Sequence, residues 1–405
     1  MHDAAASVFC NSGIWVGRGC GMKVVHWVQD LIRGGTEGQC ARTVMGLAER
    51  GWKQRVVVFR RDGFFLEKVE RACGRCEVAD IQHAVGRATL REIRRLGRWL
   101  RELRADVLHT WDADAAIFGQ WVARFAEIPL VTSRRDLGGI YPAWKTAALH
   151  LADGQAHRVV ANAVAIAEHF GRWRWIRGKI RIIPNIVDID ERDQEGADWK
   201  GQSEAGKRQS GEWRMVVVNR LDPEKRTELL IEALPLVRER HPGVVLWVVG
   251  DGRERANLEQ RAVDCGVSSA VRFWGERTDI AGLLGCVDAG ALVPIGNEGR
   301  SNSILEYMAA GLPVLASDCG GNKELVEDEQ TGRLIGRSAT PAEAAAGWCA
   351  LLDDKSRAAE WGREGRRRAE QWRPEMVIPM FENLYREVIE HSERPERRRG
   401  GMKTQ

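Results

Sequence analysis

The sequence predicts an α/β protein built as two doubly wound domains, each a parallel sheet with helices on both faces, facing each other across a cleft. Three observations carry this. The chain has 405 residues, too many for one core when domains run to roughly 100–200 residues. Short apolar runs alternate with longer amphipathic stretches, the pattern of buried parallel strands joined by helices. A polar stretch rich in Gly, Ser and charge, residues 191–213, divides these runs into two sets and reads as a linker or surface loop.

In chain order, the strand candidates of the first half are KVVHWV (23–28), RVVVF (55–59), DVLHTW (106–111), PLVTS (129–133), RVVANA (158–163) and RIIPN (181–185). Helical patterns at 37–50 and 89–104 lie between them. The second half continues with RMVVVNR (214–220), VVLWVVG (244–250), VRFWG (271–275), AGALVP (289–294) and LPVLAS (312–317). The domains are therefore expected at 22–190 and 214–375, with a terminal helix at 376–391 able to pack back on the first domain, and a disordered basic tail at 392–405. Residues 1–21 lack the basic start and sustained apolar core of a signal peptide. They read as an extension ahead of a domain that begins at Met22.

At 44% hydrophobic and 29% charged, the chain belongs with globular proteins. No run approaches the roughly 18–20 apolar residues of a membrane span. The net charge of +4 hides an asymmetry, because residues 1–190 carry 29 Lys and Arg against 20 Asp and Glu, and the remainder is net acidic. A basic first half suits an anionic partner or is plain surface charge. Nine scattered cysteines suggest a reduced compartment. Cys73 and Cys76 form a C-x-x-C without the second ligand pair that zinc needs, and read as small residues near a strand.

The chemistry concentrates in the second half. Glu298 and Glu306 bracket GRSNSIL, in which Ser301 or Ser303 caps a helix stopped by Gly311 and Pro313. The exposed N–H groups of such a helix start suit a phosphate, and nearby carboxylates suit sugar hydroxyls. Carboxylates that merely favour the helix dipole are the plain alternative. Upstream, VVVNRLDPEKRTELLIEAL (216–234) reads as strand, turn and helix, with Arg220 at the strand end and Lys225 in the turn. Two cations there can neutralise a diphosphate without metal.

In that order and spacing the pieces resemble the nucleotide-sugar half of a family 4 glycosyltransferase with the GT-B fold. The resemblance is close over 214–336 and looser over the first half. It implies that Arg220 and Lys225 hold the donor diphosphate, that Glu298 contacts the donor sugar and Glu306 the ribose in an E-x7-E motif, and that amides near Arg300, Ser301 and Asn302 meet the phosphates or the sugar. The segment ending at Arg277 resembles the loop bordering the base. Gly34 and Gly35 resemble the family's Gly-Gly loop, where backbone approaches the donor phosphate; alone they could be a plain turn. KIRIIPNIVDID resembles the end-of-domain signature, with Ile186 where Gly is usual. The resemblance also implies retention at the anomeric carbon.

The acceptor side departs from the family. Where many members place a histidine facing the reacting sugar, this chain has Arg134, Arg135 and Asp136, and His109 is the other candidate. A strand-end histidine satisfied in the interior is the competing reading of His109. Two arginines there suit a phosphorylated or acidic acceptor. The triplets Asp-Ala-Asp at 112–114 and Asp-Ile-Asp at 188–190 mimic a metal motif of another glycosyltransferase fold, but such triplets are frequent by chance. No metal or cofactor is expected beyond the nucleotide sugar as co-substrate. LREIRRLGRWLRELR (90–104) and GRWRWIRGKIR (171–181) mix apolar or aromatic residues with arginine and could lie on an anionic bilayer, or could be an ordinary helix and a basic loop.

The expected activity is therefore transfer of a sugar from a nucleotide diphosphate to a hydroxyl of a glycan or lipid-linked acceptor, in the cytoplasm or on the inner face of the membrane. Two rivals are distinguishable. A nucleotide-sugar epimerase or hydrolase of the same fold consumes donor without acceptor, and a non-catalytic binding protein does neither. Nucleic acid is not an expected partner, since no binding-module motif accompanies the basic–aromatic segments. A dinucleotide oxidoreductase is disfavoured because no G-x-G-x-x-G follows the first strand.

Overall fold

The computed structural model describes residues 21–139, 141–189, 208–296 and 298–399. Nearly all of the N-terminal extension, residues 191–207 of the linker and the end of the tail lie outside the described residues.

The first domain is a seven-stranded parallel sheet in the order β3-β2-β1-β4-β5-β6-β7. Its strands are β1 (Lys23–Val28), β2 (Lys53–Val58), β3 (Glu77–Val78), β4 (Val107–Thr110), β5 (Leu130–Arg134), β6 (Arg158–Ala161) and β7 (Ile180–Ile182). Its helices are α1 (Gly35–Glu49), α2 (Leu66–Cys73), α3 (Arg87–Leu103), α4 (Ala113–Ala126), α5 (Ala143–Gln155), α6 (Val164–Phe170) and α7 (Arg174–Arg177). The second domain is a six-stranded parallel sheet in the order β10-β9-β8-β11-β12-β13. It comprises β8 (Trp213–Val218), β9 (Val244–Val249), β10 (Val271–Gly275), β11 (Ala289–Leu292), β12 (Val314–Ser317) and β13 (Gly332–Ile335). β3 and β13 escape the sequence reading; β3 is too short to show a period, and Gly332 and Arg333 interrupt the apolar pattern of β13.

Central strands such as VVLWVV are buried at every position, as strands covered on both faces must be. The strand order reverses between β1 and β4 and again between β8 and β11. Crevices form at the carboxyl ends of strands where the order reverses. Lys225 follows β8, Glu298 follows β11 and the Gly34–Gly35 turn follows β1.

The final helix, Pro374–Arg399, starts on proline at its first turn and continues beyond the expected 391 through part of the expected disordered tail. Val377, Ile378, Phe381, Leu384, Tyr385 and Val388 are buried at helical spacing. Each such side chain contributes about 1.5–3 kcal/mol when fully buried. The helix leaves the second domain and packs on α1, where a Cβ at Gly46 would lie 2.7 Å from Ile378. Glu382 accepts from the Trp52 indole at 2.7 Å. Where the chain re-crosses, the Val187 N–H donates to the Trp372 carbonyl at 3.0 Å.

Candidate active site

The donor half is assembled by stitching two strand ends together. Ser301 caps the helix Asn302–Ala309, accepting from the Ile304 N–H at 3.4 Å. Ser303 Oγ donates to the Val218 carbonyl at 2.6 Å, and the Val218 N–H donates to Tyr307 Oη at 2.7 Å. These bonds fix the helix start against the end of β8. Beyond β8, a short 3-10 turn at Pro223–Lys225 brings Lys225 against Glu298, and the Lys225 ammonium is ion-paired to the Glu298 carboxylate. Both side chains are mostly buried, at 20% and 13% exposure, so each charge is held chiefly by the other. Arg220 is open to solvent at 72% exposure, touching Asp222 at 3.1 Å. Behind Glu298, Gly320 has a φ of +53°, and a Cβ there would come within 1.8 Å of the Glu298 carbonyl. Glycine is therefore required if the loop is to fold under the glutamate.

Glu306 lies further along the helix, facing a cavity of about 70 Å³ shared with Arg33, Arg42, Asp188 and Leu284. Arg277 follows β10 and pairs with Asp279 at 2.5 Å. The Arg300 side chain turns away from the cleft, pairing with Glu324 at 2.9 Å and lying 5.0 Å from the Trp372 ring centroid. Burial pulls its pKa below the ordinary value, against the pull of Glu324.

The first domain meets this loop through a hydrogen-bonded junction that the sequence reading missed. Asn185 uses both ends of its amide. Its Oδ1 accepts from Arg135 Nη1 at 2.7 Å and from Asn162 Nδ2 at 3.3 Å. Its Nδ2 donates to the Arg300 carbonyl and to Asn302 Oδ1, both at 2.7 Å. Asn302 Oδ1 also accepts from Gln39 Nε2 at 3.1 Å, and Asn302 Nδ2 donates to the Gly35 carbonyl at 3.1 Å. Gln39 in turn grips the Ile186 backbone at both its carbonyl and its N–H. The Gly34–Gly35 turn, which caps α1 without any side-chain bond, thus faces the start of the Asn302–Ala309 helix. The two helix starts are therefore neighbours, and unpaired N–H groups at a helix start suit an anion; the Glu37 carboxylate lies against Gly34 at one of them. The departure at Ile186 does no harm, because its backbone makes the bonds to Gln39 while its side chain is buried in the core.

On the acceptor side the structure departs from the expectations for His109 and Arg134. His109 is fully buried, hydrogen-bonded to Tyr385 Oη at 2.7 Å and to Ser133 Oγ at 2.8 Å. Burial holds its pKa well below the usual histidine range, so it is a neutral core histidine and not a group facing a sugar. Arg134 is buried too, its charge answered by Asp153 at 2.7 Å. Arg135 lies 4.7 Å from the Trp111 ring centroid with its guanidinium committed to Asn185, and burial pushes its pKa down to about 10. Arg134 is therefore answered inside the fold, whereas Arg135 bonds only to the neutral Asn185 amide and its Nε has no hydrogen-bond partner among the described residues. Asp136 accepts from the Gly138 N–H at 2.7 Å and from Tyr141 Oη at 3.1 Å. Arg134 does line a cavity of about 400 Å³, with Tyr141, His150, His169, Phe170 and Trp173.

Comparison with known proteins agrees with this architecture. Residues 33–191 match the model for Glycosyltransferase Family 4, and residues 200–368 match that for Glycosyl transferases group 1. A glycogen synthase of Mycobacterium tuberculosis is 31% identical over 71% of this chain and 69% of its own length. The chain is a family 4 glycosyltransferase. A phosphatidyl-myo-inositol mannosyltransferase of Mycobacterium leprae is 26% identical over 77% of this glycosyltransferase and 83% of its own length. In fold, this glycosyltransferase is similar to Anabaena HepE in complex with UDP-glucose, with a TM-score of 0.79, 23% identity, and coverage of 91% and 100% of the two chains. The GT-B fold expected from the sequence is thus the observed one.

The remaining acidic and sulfur motifs have structural roles in this glycosyltransferase. Asp112 caps α4 through the Ala115 N–H and accepts from the Gln29 N–H at 2.6 Å; burial raises its pKa to about 7. Asp114 pairs with Lys145 and Asp188 with Arg42, while Asp190 lies outside the described residues. Cys73 and Cys76 are buried thiols whose pKa values burial raises, Cys73 to about 11.

Proposed function

We propose that this glycosyltransferase moves a sugar from a nucleotide-diphosphate donor to a hydroxyl of a glycan or lipid-linked acceptor, with retention of anomeric configuration, in cell-surface polysaccharide or glycolipid synthesis. The observation that carries the reading is the Lys225–Glu298 pair between the β8 and β11 ends, opposite the Gly34–Gly35 turn. A diphosphate at the two helix starts takes the ammonium from Glu298. Glu298 is then free to accept from a hydroxyl of the donor sugar, while Glu306 is placed deeper for the ribose. Arg220, exposed at the rim, swings onto the outer phosphate oxygens.

As the bond between the anomeric carbon and the diphosphate oxygen breaks, its electron pair stays on the diphosphate. Lys225 and Arg220 meet the growing charge, the service a divalent cation gives elsewhere. The acceptor oxygen attacks the same face, and its proton passes to the departing diphosphate. No second carboxylate is assigned as nucleophile, so rate comes from positioning and charge stabilisation. The relatives' names support the class of reaction: one is a phosphatidyl-myo-inositol mannosyltransferase and another a glycogen synthase. The lipid-acting relative also supports peripheral attachment to the inner face of a membrane.

The test is a panel of UDP- and GDP-sugars in thermal shift, since a bound donor raises the melting point by mass action. Transfer from the stabilising donor to a lipid extract follows, with and without EDTA. One donor should stabilise the protein, label a lipid or glycan despite EDTA, and give a product with the donor's anomeric configuration. An inverted product or loss of activity in EDTA would overturn the corresponding part.

A further inference from the structure

Among the described residues, the exposed tryptophans gather on one face of the first domain. Helices α3, α4, α5 and α7 pack successively side by side, forming a layer on one side of the sheet, while α1, α2 and the final helix contribute to the other side. Among the described residues the exposed tryptophans are Trp121 (44%), Trp144 (60%), Trp173 (38%) and Trp175 (53%), and all four belong to this layer or its edge. The Trp173 and Trp175 rings lie 5.2 Å apart, Trp173 against His150 of α5 and Trp175 over Gly154 of α5. Leu151 of α5 is half exposed beside them, and Leu90 stands exposed on α3. In the second domain the exposed large apolar residues are Leu236, Val263 and Ile295, which are not aromatic.

The charge on the layer is equally one-sided. Arg87, Arg91, Arg94 and Arg98 are exposed on α3 at steps of four, three and four residues, which places them in one stripe. None has an ion-pair partner among the described residues. Of the two carboxylates on α3, Glu92 is engaged by Arg95, leaving Glu102. Arg124 of α4, and Arg172 and Arg174 beside the tryptophans, are exposed as well. Tryptophan prefers the level of lipid headgroups, and arginine beside it finds lipid phosphates.

We propose that the α3–α4–α5–α7 layer is the face by which this protein lies on an anionic bilayer, with the tryptophans at headgroup depth and the α3 arginines on lipid phosphates. The inference deepens, and rests on, the membrane part of the proposed function. Trp173 also lines the 400 Å³ cavity whose Arg134 precedes Arg135. The Arg135 carbonyl packs so closely on Gly299 that a Cβ there would sit 2.3 Å away. The cavity beside the bilayer face and the Glu298 loop are thus linked by the consecutive residues Arg134 and Arg135.

The test is flotation of the full chain with vesicles of phosphatidylcholine alone and of phosphatidylcholine mixed with phosphatidylglycerol. The wild type should float with the anionic vesicles only, and less so as salt rises. The R87E/R91E/R94E/R98E variant should lose at least about a hundredfold in partition. W144S/W175S should weaken binding and leave its salt dependence in place. All these side chains are exposed and outside the cleft, so affinity for the stabilising nucleotide sugar should be unchanged; R87Q/R91Q/R94Q/R98Q serves if charge reversal impairs folding. Absence of wild-type binding, equal binding to neutral vesicles, an unchanged partition in the arginine variants, or capture by duplex DNA with vesicles ignored would each overturn the proposal. Sugar transfer to a soluble acceptor without vesicle binding would sink this inference alone. Vesicle binding without transfer from any donor would sink the proposed function alone.

Discussion

The two halves of the cleft hold similar charged residues at similar strand ends but use them differently. After β8 and β11, Lys225 and Glu298 neutralise each other at the surface of the site, in a pair that a ligand can exchange. After β5, Arg134 and Arg135 are committed inward, one to Asp153 and the other to Asn185. The lesson is that a cation at a strand's carboxyl end is ambiguous until its partner is known. A pair with a buried helix residue, as between Arg134 and Asp153, is architecture, whereas a pair between two loops of the cleft is a candidate ligand site.

The contrast can be broken in several places. Arg134→Ala leaves the Asp153 carboxylate buried without its partner, and should cost about 3–5 kcal/mol of stability in urea melts. A stable variant with a raised acceptor KM would instead return Arg134 to the acceptor. Lys225→Ala should lower transfer by about 10²–10³-fold with the fold intact, beyond any loss of stability from leaving Glu298 unpaired; turnover at the wild-type rate would remove Lys225 from the mechanism.

A pH titration sharpens the same distinction. His26 is buried, with its Nε2 facing Gln54 and its Nδ1 accepting from the Trp111 indole, and burial lowers its pKa from 6.5 to about 4. Above 6.5 the ring is neutral in both folded and unfolded chains and costs nothing. Between 6.5 and 4 the unfolded chain takes up a proton that the folded one refuses, so stability falls with pH, by about 3 kcal/mol at the lower end. His109 adds in the same direction. Asp112, whose folded pKa is raised to about 7, acts in the opposite direction over the same range, so the histidine contribution is read as the difference between the wild type and His26→Gln. The wild-type urea midpoint should fall relative to that of the variant as the pH drops from 6.5 to 4, and a constant difference would mean that the ring is reached by solvent.

The smallest effect concerns the junction. Asn185→Ala removes bonds to Arg135, Arg300 and Asn302 together, and should cost about 1–3 kcal/mol, read as weaker donor binding and a lower kcat. Unchanged donor affinity would show that the helix starts are aligned without it.

Most of the donor half was legible because its geometry is local. Arg220 and Lys225 lie in one strand-turn-helix, Glu298 and Glu306 flank one helix start, and each segment has its own periodicity. The acceptor half was not, because what decides the role of Arg134 or His109 is far away in the chain. Asp153 is on α5, and Tyr385 is on a helix that returns from the other domain. Asn185 ends a short apolar run that reads as a strand, RIIPN, and stands beside Ile186 in a domain-end signature. A single asparagine has no signal at sequence level that marks it as a junction, and Gln39 reads only as one more polar position on α1.

The bond between Val187 and Trp372 has a mechanical consequence. The backbone passes between the domains twice, and that bond clamps the two passages side by side. Two adjacent passages favour rotation of one domain against the other over sliding, and Lys225 and Glu298, which both belong to the second domain, travel together in such a rotation as one preassembled pair.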